Sequence, residues 1–261
     1  MQPKPKHLRA EYGNQFSDPS VARAYPTRQP YPDEIFDALE RLMPERPRVV
    51  LELGCGSGDL TLELARRVDH LDAVDPSAAM LAEARKREGS DAAHLHWHLS
   101  SAEDFQITRT YTLACAGASL HWMEWEIVLP KLAAALQPGG LLAIADRDNQ
   151  CAWDKQLIPL IREHSTNKDF KPYNLAEELS ARGLFQVAGE LRTAVPFSQT
   201  IDDYIESFHS RNGFSRDRMA PESAQAFDAG VRAVVSKYAT DGLITGKNVG
   251  TLMWGKAIRC S

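Results

Sequence analysis

Residues 49–61, Val-Val-Leu-Glu-Leu-Gly-Cys-Gly-Ser-Gly-Asp-Leu-Thr, join an apolar run to a turn with glycine at every second position. Val49, Val50, Leu51 and Leu53 suit a strand covered on both faces, as in a parallel sheet, and only Glu52 interrupts them. A carboxyl group in such a strand needs a partner. Gly54, Gly56 and Gly58 remove side chains where the backbone must turn sharply and pass close to a ligand. Leu60, Leu62, Leu64 and Ala65 then predict a helix whose free N–H groups and positive dipole end face the turn, an arrangement that accepts an anion or the carboxylate of an amino-acid-like ligand. The dinucleotide fingerprint G-x-G-x-x-G would need glycine where this chain has Asp59, which disfavours NAD and FAD. Taken alone, the stretch also fits a tight strand-to-helix turn with no ligand.

The pattern Glu52-x-Gly54-x-Gly56-x-Gly58 resembles the first motif of the class I S-adenosylmethionine-dependent methyltransferases, and the chain downstream continues the resemblance. The next strand, Leu71 to Val74, ends at Asp75 before Pro76, about 20 positions beyond the glycine turn, where an acidic residue hydrogen-bonds both ribose hydroxyls. Asp75 equally suits a cap on the helix opening at Pro76, Ser77 and Ala78 and running through Met80, Leu81 and Ala84. Ser101, Ala102, Glu103 and Asp104 resemble the adenine-binding turn; many relatives carry Asp at the position of Ser101, leaving the adenine amino contact to Glu103 or to backbone. Tyr111 to Gly117 is a fourth strand, followed by Ala118, Ser119, Leu120, His121 and Trp122, a helix, Pro138-Gly139-Gly140 and a fifth strand from Leu141 to Ala145. This order is similar to the small-molecule branch that includes trans-aconitate methyltransferase-like enzymes, over roughly residues 20 to 147, with Thr112 standing where many relatives have Asp.

The resemblance implies an α/β fold: a doubly wound, mostly parallel seven-stranded sheet of the Rossmann-like methyltransferase type, with helical cap insertions. It implies one domain over 1–261, with 1–32 an N-terminal lid or linker, 33–147 the cofactor-binding core and 148–261 the substrate-side helices and last strands. S-adenosylmethionine is the implied cofactor, on Glu52, Gly54, Gly56, Gly58, Asp75, Pro76, Met80, Ser101, Ala102, Glu103, Ser119, Trp122, Tyr25 and Arg28.

Composition narrows the partners. An apolar content of 43% over 261 residues supports a full core, and a net charge of −5 with scattered basic residues gives no footprint for a nucleic-acid backbone. No apolar run approaches the ~18 residues of a membrane span. The N-terminus, with Pro3, Lys4, Pro5 and Lys6, lacks an apolar signal core, which makes the cytoplasm the expected location. Cys55, Cys115, Cys151 and Cys260 have no metal-ligand or disulfide spacing and are expected reduced. The alternation His94-Leu95-His96-Trp97-His98-Leu99 invites a metal site, yet strict alternation fits a half-exposed edge strand better.

Elsewhere the pattern predicts a polar leader to about residue 14, a helix started by Asp18-Pro19-Ser20, and a stiff linker over 25–32 rich in Pro and Tyr. A helix follows on Ile35, Phe36, Leu39, Leu42 and Met43. Beyond Asp146 it predicts helices over 155–163 and 175–182 with Gly183 as C-cap, a strand over 187–193, a helix capped by Thr200, a helix over 221–238 and a last strand over 252–258. His121 and Arg147, at the carboxyl ends of the fourth and fifth strands, are the candidate catalytic pair: His121 as a base or pocket wall, Arg147 as anchor for an anionic substrate, with Arg28 and Arg211 in reserve. Trp122 and Trp125 could face the sulfonium, and His209, Arg211 and Arg218 could touch substrate, although charged helix residues are more often solvated. Methyl transfer to a carboxylate, requiring no base, is the expected reaction on a small-molecule acceptor. Base-assisted methylation of a phenol or amine, or cofactor binding without turnover, are the alternatives.

Overall fold

The computed structural model describes residues 4–258; Pro3 and Cys260 lie outside them. Seven strands form one sheet in the order β3-β2-β1-β4-β5-β7-β6. They are β1 (Val49–Leu53), β2 (His70–Asp75), β3 (Leu95–Leu99), β4 (Tyr111–Gly117), β5 (Leu136–Gln150), β6 (Phe185–Thr200) and β7 (Leu243–Ala257). The first five run parallel, and β7 lies antiparallel between β5 and β6. Strand order reverses between β1 and β4, so the loops leaving these two strands diverge and open a crevice at the glycine turn.

The helices are α1 (Ala10–Gly13), α2 (Pro19–Ala24), α3 (Asp33–Arg41), α4 (Thr61–Ala65), α5 (Ala78–Ala84), α6 (Trp125–Ala135), α7 (Asp154–His164), α8 (Leu175–Ala181), α9 (Ile201–His209) and α10 (Pro221–Val235). One core layer packs Ile35, Phe36 and Leu39 of α3 and Leu62 and Leu64 of α4 on the sheet. The other packs Val128, Leu129 and Leu132 of α6 with Leu179 of α8 on the opposite face. A third cluster, around Trp153, Tyr204, Phe208 and Phe227, holds α7, α9 and α10 together as a cap beyond the sheet. At about 1.5–3 kcal/mol per buried large side chain, the cap carries its own hydrophobic drive.

Several expectations change. The leader is folded: a turn over Lys6–Leu8, α1 and a turn over Asn14–Ser17 precede α2. The helix after the glycine turn is only five residues long, too short for its dipole to make an anion site. Strands β5, β6 and β7 run several residues beyond the predicted segments because they pair with one another past the core, from Leu142↔Gly255 to Gln150↔Lys247. The predicted helix over 221–238 ends at Val235, with a 3₁₀ turn to Tyr238. Strand β3 is the edge, with Leu95 buried and His96 exposed; Leu99 is also exposed, against the alternation, because it ends the strand. His70 and His98 both hydrogen-bond the buried Asp72 carboxylate, at 2.9 and 2.7 Å. Cys55, Cys115 and Cys151 are free thiols.

Glu52 sits on β1 beneath the glycine turn, 1% exposed, with Oε2 lacking a hydrogen-bond partner among the described residues. Burial pushes its carboxyl up to about 8. A folded-state value above that of the unfolded chain means the folded protein holds the extra proton, so stability falls as pH rises from about 4.5 toward 8. Glu52→Gln removes this dependence. The variant is expected to melt higher than the parent at pH 8, with the gain shrinking toward pH 5; an equal shift at both pH values would contradict a protonated Glu52.

Candidate active site

A cavity of about 340 Å³ lies over the crevice. Its floor is Gly54 and Gly56, its far wall Asp75, Pro76, Ser77 and Met80, and one end the turn of Ser101, Ala102 and Glu103. Ala118, Ser119, Trp122 and Met123 close the β4 side, while Ala10, Gly13, Asn14, Phe16, Ser17 and Tyr25 cover it from the N-terminal segment.

Backbone geometry explains the glycines. Gly54 has φ +71°, and a Cβ there would lie 2.4 Å from the Cβ of Ser119. Gly56 has φ +53° with nothing within 4 Å of where a Cβ would stand, so its free side is open to a ligand. Gly58 faces Trp97 instead and is absent from the cavity wall.

Asp75 anchors both turns: its carboxylate accepts hydrogen bonds from Gly56 N and Ser77 N, each at 2.8 Å. The helix cap is Ser77, whose Oγ accepts from Met80 N at 3.1 Å, which frees Asp75 from that duty. Each Asp75 oxygen has used one lone pair and keeps another, matching the two hydroxyls of a ribose. Burial pushes this carboxyl up to about 6. At the other end Ser101 Oγ donates to Asp104 Oδ2 at 2.8 Å, and Glu103 accepts from Glu124 N at 2.7 Å.

The remaining expected residues divide. Glu52 is behind the cavity, in the core, because β1 turns its side chain into the sheet layer. Trp125 is fully buried, its ring N–H bonded to Leu120 O at 2.8 Å, so it belongs to the core and not to a ligand. His121 packs on Trp122 with ring centroids 4.7 Å apart and faces a separate cavity shared with Tyr173 and Asp146. Desolvation, with Lys4, His7 and Arg28 nearby, pushes its imidazole down to about 3. His209 is buried between Phe214 O and Asp228, and Arg218 is paired with Asp18 of the N-terminal segment; both hold the cap and neither lines a cavity described here.

Arg28, Arg147 and Arg211 converge on a smaller polar cavity of about 120 Å³, with Gln29, Asp148, Asn149, Ser207 and Asn248. Arg28 therefore lies beyond the glycine-turn cavity. Its guanidinium stacks on Tyr25 at 4.3 Å, so the Tyr25 ring stands between the two cavities. Arg147 is not a free anchor: Nη2 is paired with Asp59 and the guanidinium stacks on Tyr31 at 4.4 Å, while the buried Nη1 lacks a partner among the described residues. Burial opposes the charge on Asp59, but Arg147 and Arg87 hold its carboxyl below the usual range. Arg211 stacks on Phe208 at 4.6 Å and makes no ion pair among the described residues.

The methyltransferase domain family matches residues 50–140. A trans-aconitate 2-methyltransferase from Acidovorax ebreus is 31% identical over 209 residues, 73% of this chain and 78% of that protein. The chain belongs to the class I S-adenosylmethionine-dependent methyltransferases. Another trans-aconitate 2-methyltransferase, from Methylobacterium radiotolerans, is 35% identical over 116 residues, 43% of each protein. The chain thus spans about half the length of several of its curated relatives. A type II methyltransferase structure from Anaeromyxobacter dehalogenans superposes with a TM-score of 0.64 at 20% identity, covering 88% of this chain and 97% of that one, and supports the fold. The family cofactor is S-adenosylmethionine, and the wall fits it: an open glycine floor, a carboxylate with two spare lone pairs and a cavity roofed by aromatic rings.

Sequence reasoning marked 1–32 as a lid or linker but named none of the residues in 10–17 that line the cavity. Leu8, Tyr12 and Phe16, four apart, were the available helical signal.

Replacing Asp75 by Ala is expected to weaken S-adenosylmethionine binding by about 1.5–3 kcal/mol in calorimetric titration, with the fold retained. Because Asp75 titrates near 6, wild-type affinity should fall as pH drops below 6, as the carboxylate loses an acceptor, and this pH dependence should vanish in Asp75→Asn. Unchanged affinity in a folded Asp75→Ala protein would overturn the site. Gly56→Val should block binding, since the β-branched side chain would enter open space at a positive φ.

Proposed function

We propose that this chain transfers the methyl group of S-adenosylmethionine to an oxygen of a small carboxylic acid. The observation that carries the reading is a cavity lined by three arginines, one of which, Arg28, stacks on Tyr25 of the glycine-turn cavity. Arg28 spends its donors on Ser210 Oγ, Ser210 O and Tyr25 OH, and burial together with nearby Arg147 and Arg211 lowers its hold on a proton. A carboxylate entering there would relieve that clustering of positive charge.

The sulfonium supplies an electrophilic methyl group, and a carboxylate oxygen is already a competent nucleophile. One C–O bond forms as the C–S bond breaks, and no proton moves. The protein's task is alignment in a dry site. Gly54, Gly56, Asp75, Pro76, Met80, Ser101, Ala102, Glu103, Ser119, Trp122 and Tyr25 are the cofactor wall in this reading. Residues 4–32 serve as its lid. Base-assisted transfer through His121 is disfavoured, because an imidazole pushed down to about 3 is a weak base.

Arg211, unpaired, takes the anchoring role first assigned to Arg147. With a methyl-labelled donor and a panel of small acids, Arg211→Ala is expected to raise the acid KM about 10- to 100-fold with cofactor affinity within about twofold, as loss of a charge-assisted contact requires. Arg211→Lys should recover part of it. Arg147→Ala should weaken both ligands, because it leaves the largely buried Asp59 beside the glycine turn with Arg87 as its one remaining ion-pair partner among the described residues. At saturating cofactor the rate should be flat from about pH 6.5 to 8; a rise through that range that disappears in His121→Ala would favour a phenol or amine acceptor instead. Absence of any labelled product across acids, phenols and amines would leave a binding module.

A further inference from the structure

Asn248 is 2% exposed, lies on β7 opposite Asn149 of β5, and lines the arginine cavity. Its Nδ2 donates to Pro30 O at 2.6 Å. That bond fixes the amide, because the flipped orientation would set two oxygens against each other. Oδ1 therefore points away from Pro30, and it has no partner among the described residues. Arg147 Nη1, on the neighbouring strand of the same cavity, is also without one. Two residues of the cavity wall thus each keep a buried polar atom, one donor and one acceptor, that is unsatisfied among the described residues, and such groups are normally paired. A carboxylate satisfies Arg147 Nη1 and leaves Asn248 Oδ1 wanting a proton donor.

We propose that the acid held in this cavity carries a hydroxyl group, and that Asn248 is the residue that selects for it. The inference rests on the carboxylate reading above and adds to it the second functional group. Three guanidinium groups line the same space against one carboxylate, Asp148, with Arg147 also paired to Asp59, so the balance of charge disfavours an ammonium donor and leaves a neutral hydroxyl as the better fit. At about 120 Å³ the cavity suits the polar end of a small acid. A site built to bond a hydroxyl discriminates strongly against the analogue lacking it, since the buried acceptor is then left unpaired.

The test compares acids that differ only by a hydroxyl: 2-hydroxysuccinate with succinate, 2-hydroxyglutarate with glutarate, and citrate with propane-1,2,3-tricarboxylate. Initial rates with a methyl-labelled donor give kcat/KM for each, and competition against the best acceptor gives affinities for any that bind without turnover. The hydroxylated member is expected to be favoured at least about tenfold in one or more pairs. In Asn248→Leu, close in size, that ratio should fall to within about threefold. If Asn248→Leu fails to fold, Asn248→Ser, which keeps a small polar group, should reduce the ratio partway. Wild-type protein that treats both members of every pair alike overturns the hydroxyl inference and leaves the carboxylate reading standing, as would a preference that survives Asn248→Leu undiminished. If no acid of either kind binds or reacts, the carboxylate reading falls and the inference with it.

Discussion

Two backbone N–H groups meeting on the Asp75 carboxylate hold this site together. One comes from Gly56, in the turn leaving β1, and the other from Ser77, in the turn leaving β2. Gly54 N and Cys55 N both donate to Val74 O at 2.8 and 3.1 Å, so the glycine turn is stitched to the tip of the neighbouring strand along its whole length. A glycine segment pays the largest backbone entropy on ordering, and these bonds supply the order that its own side chains cannot. The turn is thereby ordered before any ligand arrives, and on the proposed reading the carboxylate that would receive the ribose hydroxyls is the same one that shapes the loop.

The parts legible in the sequence were those fixed by short-range chemistry. Spacing alone located the glycine turn, Asp75 and the bounds of β4, since turn geometry and strand periodicity are local properties. The edge position of β3 and the Thr200 cap, whose Oγ1 accepts from Asp203 N at 3.1 Å, followed for the same reason. Partners far apart in sequence were illegible. Arg147 meets Asp59 across 88 positions, and no pattern in either neighbourhood announces the pair. Ranking Arg147 first among the anion anchors rested on a place just past the fifth strand, whereas the structure puts it inside the longer β5, opposite Gly250 of β7. Its availability changed as well. The β5–β7 extension was missed because it is stabilised by pairing partner to partner and not by the apolar core, and it is this extension that brings Asn149 and Asn248 face to face.

Asp59 shows why a buried ion pair resists single-residue interpretation. It neutralises Arg147 toward the arginine cavity and Arg87 toward the solvent side, while Arg87 also donates to Ser57 O within the glycine turn at 2.9 Å. Removing one member of such a group leaves another charge desolvated, at a cost of about 3–5 kcal/mol, larger than the contact with a ligand that a substitution is meant to probe. Arg211 is the cleaner probe because its removal strands no carboxylate.

The N-terminal segment ties the two cavities to one another through the cap. Ser20 N donates to Asp217 at 3.0 Å, Ser215 Oγ to Asp18 at 2.6 Å, Asn212 Nδ2 to Tyr12 O at 2.8 Å and Gly213 N to Gln15 at 2.9 Å, while Arg28 holds Ser210 by two bonds. Against the sheet and its helices the same segment makes apolar contacts, Val21 and Ala22 on Met80 and Phe16 on Trp122, and also hydrogen bonds, with Lys4 Nζ donating to Met123 O at 2.9 Å, Gln199 Nε2 to Thr27 O at 2.6 Å and Asn248 Nδ2 to Pro30 O at 2.6 Å. Tyr25 roofs one cavity and Arg28, three residues on, lines the other. On the reading proposed above, a displacement that admits the cofactor past Tyr25 would move Arg28 as well, and closing over the cofactor would set the guanidinium against which an acid would seat. On that same reading, the linkage would favour cofactor first and acid second.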